Sequence, residues 1–356
     1  MGGLFRSGFK MWERVGAMGK RIKSAYHRIA MLASCAIPVI ALTVGLTTYW
    51  PRNLSQNRPA QANQFAIKSN VNEVLLHMTV RDHAGDLVGH LNENNFQIYE
   101  DGALQQIKSF SHEDVPVTVG LVVDNSGSMR SKRSEVIAAN LAFVRSSNSQ
   151  DEMFVVNFND GVSFGLPRNM PFTDRPDQLQ LALSRAEATG KTALYDGISD
   201  AVRHLKQGTH DKKALIIVSD GGDNASKQSL AETLVLAVKS DAMIYTIGLF
   251  DADDPDRNPR VLRKLSKATG GDAFFPESTK DVRTICERIA LEVRNQYTVT
   301  YTSSNTKQDG SYRSIKVKVS SPDTRRLTIR ARAGYYAPSD TDFKREAESP
   351  TYESAN

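Results

Sequence analysis

Cysteine is nearly missing from this sequence of 356 residues, with Cys35 and Cys286 alone. Cys35 sits in an apolar stretch and Cys286 stands by itself in the body, so a disulfide framework and a Cys/His zinc cluster are both excluded. Histidine is scarce too, and none of the seven shows metalloprotease spacing. Gly190-Lys191-Thr192 ends like a phosphate-binding loop, but the glycine needed five residues earlier is Arg185. No Gly-x-Ser-x-Gly elbow surrounds Ser126 or Ser128. No residue presents itself as a general base, so the chain reads as a non-enzyme. A basic folded body is missing as well. The net charge is +5, yet residues 1–28 carry seven Lys and Arg against Glu13, which leaves −1 for the rest. Nucleic acid is therefore not expected as a partner, because it needs a basic face on the folded part.

Long hydrophobic runs are also absent, with one exception. Residues 29–50 hold no charge and are about the length that spans a bilayer as a helix. The basic tail at 1–28 precedes it, which predicts a cytoplasmic N-terminus, and Tyr49 and Trp50 stand where interfacial aromatics belong. The expectation is a single-pass anchor in the inner or plasma membrane with the body extracytoplasmic. The alternative is a cleaved signal and a secreted body; no small-x-small site directly follows the run.

The remainder divides by periodicity. After a linker at 51–62, residues 63–113 alternate apolar and polar, as at Val74, Leu76, Met78 and Val80. Residues 295–338 do the same at Tyr297, Val299 and Tyr301, and again at Ile315, Val317 and Val319. Each flank is short for a core of its own, and the two are expected to pair as a small β-sandwich. A tail expected to be disordered covers 339–356. Between the flanks, 114–294 reads differently. Near-continuous apolar runs at 117–123, 153–158, 214–218 and 242–248 alternate with helical patterns at 134–145, 193–206, 227–239, 259–267 and 280–294. That pattern predicts an α/β domain with a doubly wound, mostly parallel sheet and helices on both faces, inserted between the flanks.

The run at 117–123 ends in Asp124-Asn-Ser126-Gly-Ser128. Alternate spacing in an extended loop points three oxygens one way. Thr192 opens a predicted helix and Asp220 closes a predicted strand, and ligands of such sheets collect at strand carboxyl ends. Carboxylate and hydroxyl oxygens suit a hard cation, with Mg²⁺ first and Mn²⁺ or Ca²⁺ as alternatives. The acidic stretch 251–256 lacks the glycine and closing glutamate of an EF-hand and reads as an exposed loop.

At these residues the chain resembles the von Willebrand factor type A domain, through Asp-Asn-Ser-Gly-Ser at 124–128, Thr-Ala-Leu-Tyr-Asp-Gly from Thr192, and Asp220 in Val-Ser-Asp-Gly-Gly-Asp. The flanks, with Phe-Gln-Ile-Tyr-Glu-Asp-Gly at 96–102 and Arg-Ala-Gly-Tyr-Tyr at 332–336, are similar to a bacterial subgroup of that family. The resemblance implies a metal-ion-dependent adhesion site. Asp124, Ser126, Ser128 and Thr192 would be direct ligands and Asp220 a ligand through water. It further implies a protein partner that offers Asp or Glu to the metal. Lys191 departs from the pattern, since a small residue is common there; with Arg130 it would form a basic rim for an acidic partner. The resulting expectation is a membrane-anchored adhesion or scaffold module of the cell envelope. The alternative is a divalent-metal-dependent hydrolase or an assembly chaperone.

Overall fold

The computed structural model describes residues 73–250, 257–321 and 326–339. The segments expected at 1–28, 29–50 and 51–62, the first residues of the leading β flank, the 251–256 loop and the tail from 340 onward lie outside them. Among the described residues no helix is long and apolar enough to cross a membrane.

The chain opens with four strands: β1 (Glu73–Arg81), β2 (Phe96–Glu100), β3 (Ala103–Gln105) and β4 (Ile107–Ser111). An α/β segment follows. It runs β5 (Val117–Asp124), α1 (Arg133–Ser146), β6 (Glu152–Phe158), β7 (Val162–Phe164), α2 (Pro176–Ser184) and α3 (Leu194–Leu205). It continues with β8 (Lys212–Ser219), α4 (Leu230–Lys239), β9 (Met243–Gly248), α5 (Pro259–Thr269), β10 (Ala273–Phe274) and α6 (Val282–Arg294). Four strands close the described chain: β11 (Tyr297–Thr302), β12 (Tyr312–Val319), β13 (Thr328–Ala331) and β14 (Gly334–Tyr336).

The central sheet has the order β10-β9-β8-β5-β6-β7. All its pairings are parallel except β6 with β7, so the sheet is mixed. β5 is buried at every position, as a strand covered on both faces must be. α1 packs on α2 and α6, while α4 packs on α3 and α5, giving two helical layers. From β5 the chain winds to β6 on one side and returns to β8 on the other. The crevice between the carboxyl ends of β5 and β8 is thus the topological switch point, where such sheets bind ligands.

Two pieces of this domain carried weak sequence signals. α2 is nine residues long and begins with Pro176 in its first turn; three residues, Leu179, Ala182 and Leu183, form its buried side. β7 is a three-residue antiparallel edge strand with no fully buried position. α4 begins at Leu230, three residues later than its pattern suggests, because Ser229 and Glu232 form a capping box that starts the helix there.

The flanking strands form two four-stranded sheets, β13-β1-β11-β4 and β14-β12-β2-β3. Each mixes strands from both sides of the α/β segment. Their inner faces share one core, which includes Leu76, Met78, Phe96, Ile98, Tyr297, Val299 and Tyr301. Within it Arg313 is buried beside Glu100, at 3.5 Å, and the Tyr301 and Tyr335 hydroxyls donate to the same carboxylate at 2.9 and 3.0 Å. A polar seam joins sandwich and α/β segment. Arg81 and Arg330 both pair with Glu292 of α6, and Arg332 pairs with Asp241.

Candidate metal centre

Asp124 closes β5 and is buried. Its Oδ1 accepts the Ser126 N–H at 2.8 Å, a turn that an aspartate makes with the backbone two residues on. Its Oδ2 accepts the Ser219 hydroxyl at 2.6 Å from the end of β8. Ser126 stands at the N-cap position of the 3-10 turn Gly127–Lys132 that feeds α1, but its side chain makes no capping hydrogen bond. The Ser126 and Ser128 Oγ atoms are 3.1 Å apart, and Ser128 Oγ donates to Asp220 Oδ2 at 2.5 Å. Asp220 Oδ1 accepts the Gly222 N–H at 3.0 Å, so the next loop folds around it. Asp124, Ser126, Ser128 and Asp220 are therefore one hydrogen-bonded set.

Thr192 joins them through its loop. The Thr192 N–H donates to Asn224 Oδ1 at 2.9 Å, and its carbonyl accepts the N–H groups of Asn224 and Ala225 at 3.0 and 3.1 Å. On the other side, the Gly127 N–H donates to the Gly190 carbonyl at 3.1 Å and the Thr189 N–H to the Asn125 carbonyl at 2.8 Å. The three loops are stitched into one surface before any ligand enters.

The rim differs from a simple basic patch. Lys191 is exposed, and its N–H donates to Asp160 Oδ1 at 3.0 Å. Arg130 is exposed, and its Nε donates to the Ala188 carbonyl at 3.0 Å. Arg133 is drawn inward, to Asn125 Oδ1 at 3.2 Å and the Ser184 carbonyl at 3.0 Å. Lys132 is buried and reaches the Leu249 carbonyl at 3.4 Å, so it belongs to the loop scaffold.

Burial pushes the Asp124 carboxyl up to about 6, with the charge of Asp220 adding to the effect; the Ser126 and Ser219 hydrogen bonds oppose it. Two close carboxylates in a dry site gain from a positive charge between them. The donor set here comprises two carboxylates and three hydroxyls. Among the described residues no group of three or more His, Cys, Asp or Glu could hold a metal, so a cation held by these two carboxylates would need further oxygens, and the neighbouring hydroxyls are placed to supply them. The all-oxygen set fits a hard cation such as Mg²⁺, not a soft one.

Sequence reading missed the supports. Ser219, Asp223 and Asp196 lie within the three segments and Asn224 directly after one of them, yet none was given a role there, and it is they that fix the site. Asp223 Oδ2 accepts the Tyr195 N–H at 3.0 Å, and Asp196 accepts the N–H groups of Lys227 and Gln228 at 2.9 and 3.0 Å. The available signal was the density of Ser, Asp and Asn just after β8, residues that favour loops of this kind.

Residues 119–222 match the family model described as von Willebrand factor type A domain. No curated protein matches the chain. Among solved structures, a von Willebrand factor type A protein from Catenulispora acidiphila is similar at 14% identity and TM-score 0.46, covering 77% of this chain and 76% of that one. The vWF domain of the type V pili tip protein Mfa5 from Porphyromonas gingivalis is similar at 14% identity and TM-score 0.43, covering 50% and 95%. A conserved hypothetical protein, BatB, from Bacteroides thetaiotaomicron is similar at 15% identity and TM-score 0.41, covering 50% and 99%. With the family match falling on the strands and loops that build the site, the chain carries a von Willebrand factor type A domain.

Proposed function

We propose that the chain is a protein-binding module that holds a divalent cation at the β5–β8 switch point and uses it to capture an acidic group of a partner. The observation behind this reading is the convergence of four residues from two strand ends: Ser126, Ser128 and Asp220 are bonded side chain to side chain, and Asp124 joins them through the Ser126 N–H and the Ser219 hydroxyl. Asp124, Ser126, Ser128 and Thr192 would hold Mg²⁺, or Mn²⁺ or Ca²⁺, directly, and Asp220 through water. Such a cation supplies an electron-poor centre that accepts an outside carboxylate. The protein's own part is to keep the oxygens in place: Ser219 and the Ser126 N–H orient Asp124, and Asn224 orients the Thr192 loop. Lys191 and Arg130 would meet the acidic partner first and raise its rate of arrival.

The same proposal places the body outside the cytoplasm, anchored in the inner or plasma membrane by residues 29–50 with the N-terminus inside. It reads the chain as a binding protein and not as a hydrolase. Calorimetric titration of Mg²⁺ and Mn²⁺ into the full chain in detergent tests the site, with Asp124→Ala as control. Metal binding that vanishes in Asp124→Ala, with an unchanged thermal melt, supports it. Equal affinity in the variant refutes it. Metal-dependent turnover of phosphate or ester substrates by the same preparation would refute the binding-module reading.

A further inference from the structure

The β6–β7 turn reaches the candidate metal centre from a third strand end. Asp124 and Phe158 stand in register on β5 and β6, and the Asn125 N–H donates to the Phe158 carbonyl at 2.7 Å. Asn159, Asp160 and Gly161 then turn the chain into β7. An aspartate in a turn commonly accepts an N–H of that same turn. Asp160 does not. The Gly161 N–H goes to Asn159 Oδ1 at 3.4 Å, and the Asn159 N–H to the Gly161 carbonyl at 3.0 Å. Asp160 Oδ1 instead accepts the N–H of Lys191, 31 residues further along, at 3.0 Å. Gly190 makes that reach possible. Its φ is +80°, and a Cβ built there would collide with Asp160 Oδ2. The carboxylate lies directly against the glycine, in space that any other side chain would fill.

This bond is one of four that fix the loop ahead of α3. The Thr189 N–H donates to the Asn125 carbonyl at 2.8 Å, the Lys191 N–H to Asp160, the Thr192 N–H to Asn224 Oδ1 at 2.9 Å, and the Ala193 N–H to the Asn159 carbonyl at 2.8 Å. The acceptors come from the loops that follow β5, β6 and β8. No side-chain cap from α3 adds to them, because Ala193 occupies its N-cap position. Thr192 is buried in the middle of this clamp.

We propose, building on the cation-binding reading above, that Asp160 is a positioning residue of the metal centre, which holds the Thr192 loop firmly enough for the site to favour Mg²⁺ over the larger Ca²⁺. Mg²⁺ takes oxygens at about 2.0–2.1 Å in near-ideal octahedral geometry, whereas Ca²⁺ takes them at about 2.3–2.6 Å with more tolerance. Admitting Ca²⁺ requires the ligand oxygens to spread by roughly 0.3–0.5 Å. A loop tied at four amides to three separate elements resists that shift. Released at Lys191, directly before Thr192, it yields more easily. Selection by size is separable from simple attraction. A carboxylate near the cation attracts Mg²⁺ and Ca²⁺ alike, since both carry the same charge. A bond that fixes the position of a ligand discriminates between them.

Calorimetric titrations of Mg²⁺ and of Ca²⁺ into the full chain in detergent test this, together with amide hydrogen exchange of the metal-free protein. Wild type should bind Mg²⁺ more tightly than Ca²⁺. Asp160→Ala should weaken Mg²⁺ binding by about tenfold and leave Ca²⁺ binding nearly unchanged, so that the preference narrows. The Lys191 and Thr192 amides should exchange faster in that variant, with an unchanged thermal melt, because Asp160 is exposed. Asp160→Asn keeps the acceptor oxygen and should restore both the preference and the protection. A wild type with no preference for Mg²⁺, an equal loss of both ions in Asp160→Ala, unchanged exchange at Lys191, or an asparagine variant as impaired as the alanine one overturns the proposal and leaves the cation-binding reading standing. A wild type that binds neither ion refutes that reading and this proposal with it.

Discussion

The hydroxyl of Ser219 donates to Asp124 Oδ2 at 2.6 Å, linking the ends of two neighbouring parallel strands inside the candidate metal centre. The same hydroxyl accepts the Gly221 N–H at 3.0 Å. Ser219 therefore fixes both the acid that ends β5 and the loop that carries Asp220. It is a support and not one of the proposed ligands, and it is fully buried.

Replacing Ser219 by alanine should lower Mg²⁺ affinity by about tenfold or more, the usual effect of removing a group that orients a ligand. Ser219→Thr keeps the hydroxyl and should recover most of the loss. Calorimetric titration of the three proteins decides the matter. Equal affinity in wild type and Ser219→Ala would show that Asp124 is oriented without it.

Gly221 has φ of +81°, and a Cβ built there would stand 2.5 Å from the Asn258 carbonyl oxygen. Both the backbone sign and the space demand glycine. Gly221→Ala should destabilise the protein by roughly 1–3 kcal/mol. It should also weaken metal binding, because the loop it shifts holds Asp220. Urea unfolding alongside a Mn²⁺ titration measures the two effects. A variant as stable as wild type would mean that the loop relaxes freely.

How much of this was legible in the sequence depended on the physics of each element. β5 was legible because a strand buried on both faces must be a continuous apolar run, and such a run from Val117 has few other readings. The alternation in β11 was legible for the same kind of reason, since one face meets a core and the other does not. The Asp124-x-Ser126-x-Ser128 spacing showed itself because its residues are neighbours in sequence. Ser219 and Asn224 did not, because their roles come from contacts with Asp124 and Thr192 that only the sheet order creates. The place of Lys132 was not legible for a related reason. A lysine in a basic run looks solvated, and only the fold shows its amine turned in toward Leu249.

His77 lies on β1 and is 7% exposed. Its Nδ1 is 3.1 Å from Thr298 Oγ1. Burial, followed by the nearby charges of Lys212 and Arg332, lowers its pKa from 6.5 to about 3. His112, stacked on Tyr297 at 4.3 Å, is lowered too, chiefly by burial. A histidine depressed in the native state takes up its proton more readily when unfolded. Its stabilising contribution is present above pH 6.5 and is lost as pH falls toward 3. The slope should approach about 1.4 kcal/mol per pH unit for His77. Urea unfolding at several pH values from 7.5 to 5 checks this window, where most carboxylates stay ionised. His77→Gln should flatten the slope. An unchanged slope in that variant would assign the loss to other groups.

Glu292 is fully buried in the last turns of α6 and receives guanidinium groups from Arg81 on β1 and Arg330 on β13. The Tyr245 hydroxyl of β9 donates to it at 3.2 Å. One carboxylate thus ties the closing helix of the α/β segment to two sandwich strands and to the central sheet. Removing it leaves two arginines, with side chains only 11% and 20% exposed, short of their shared partner. Arg330 keeps Asp272, so Arg81 bears the larger loss. Glu292→Ala should cost about 3–5 kcal/mol, the usual cost of breaking a buried pair from one side. Glu292→Gln should cost less, because it still accepts hydrogen bonds. The double variant Arg81→Met with Glu292→Met should recover part of the loss, since no unpaired charge remains on that side. If the carboxylate is what couples the two parts, Glu292→Ala should also split a single urea transition into two when followed by near-ultraviolet circular dichroism. A loss below 1 kcal/mol with one sharp transition would show that apolar packing, and not this ion pair, holds α6 to the sandwich.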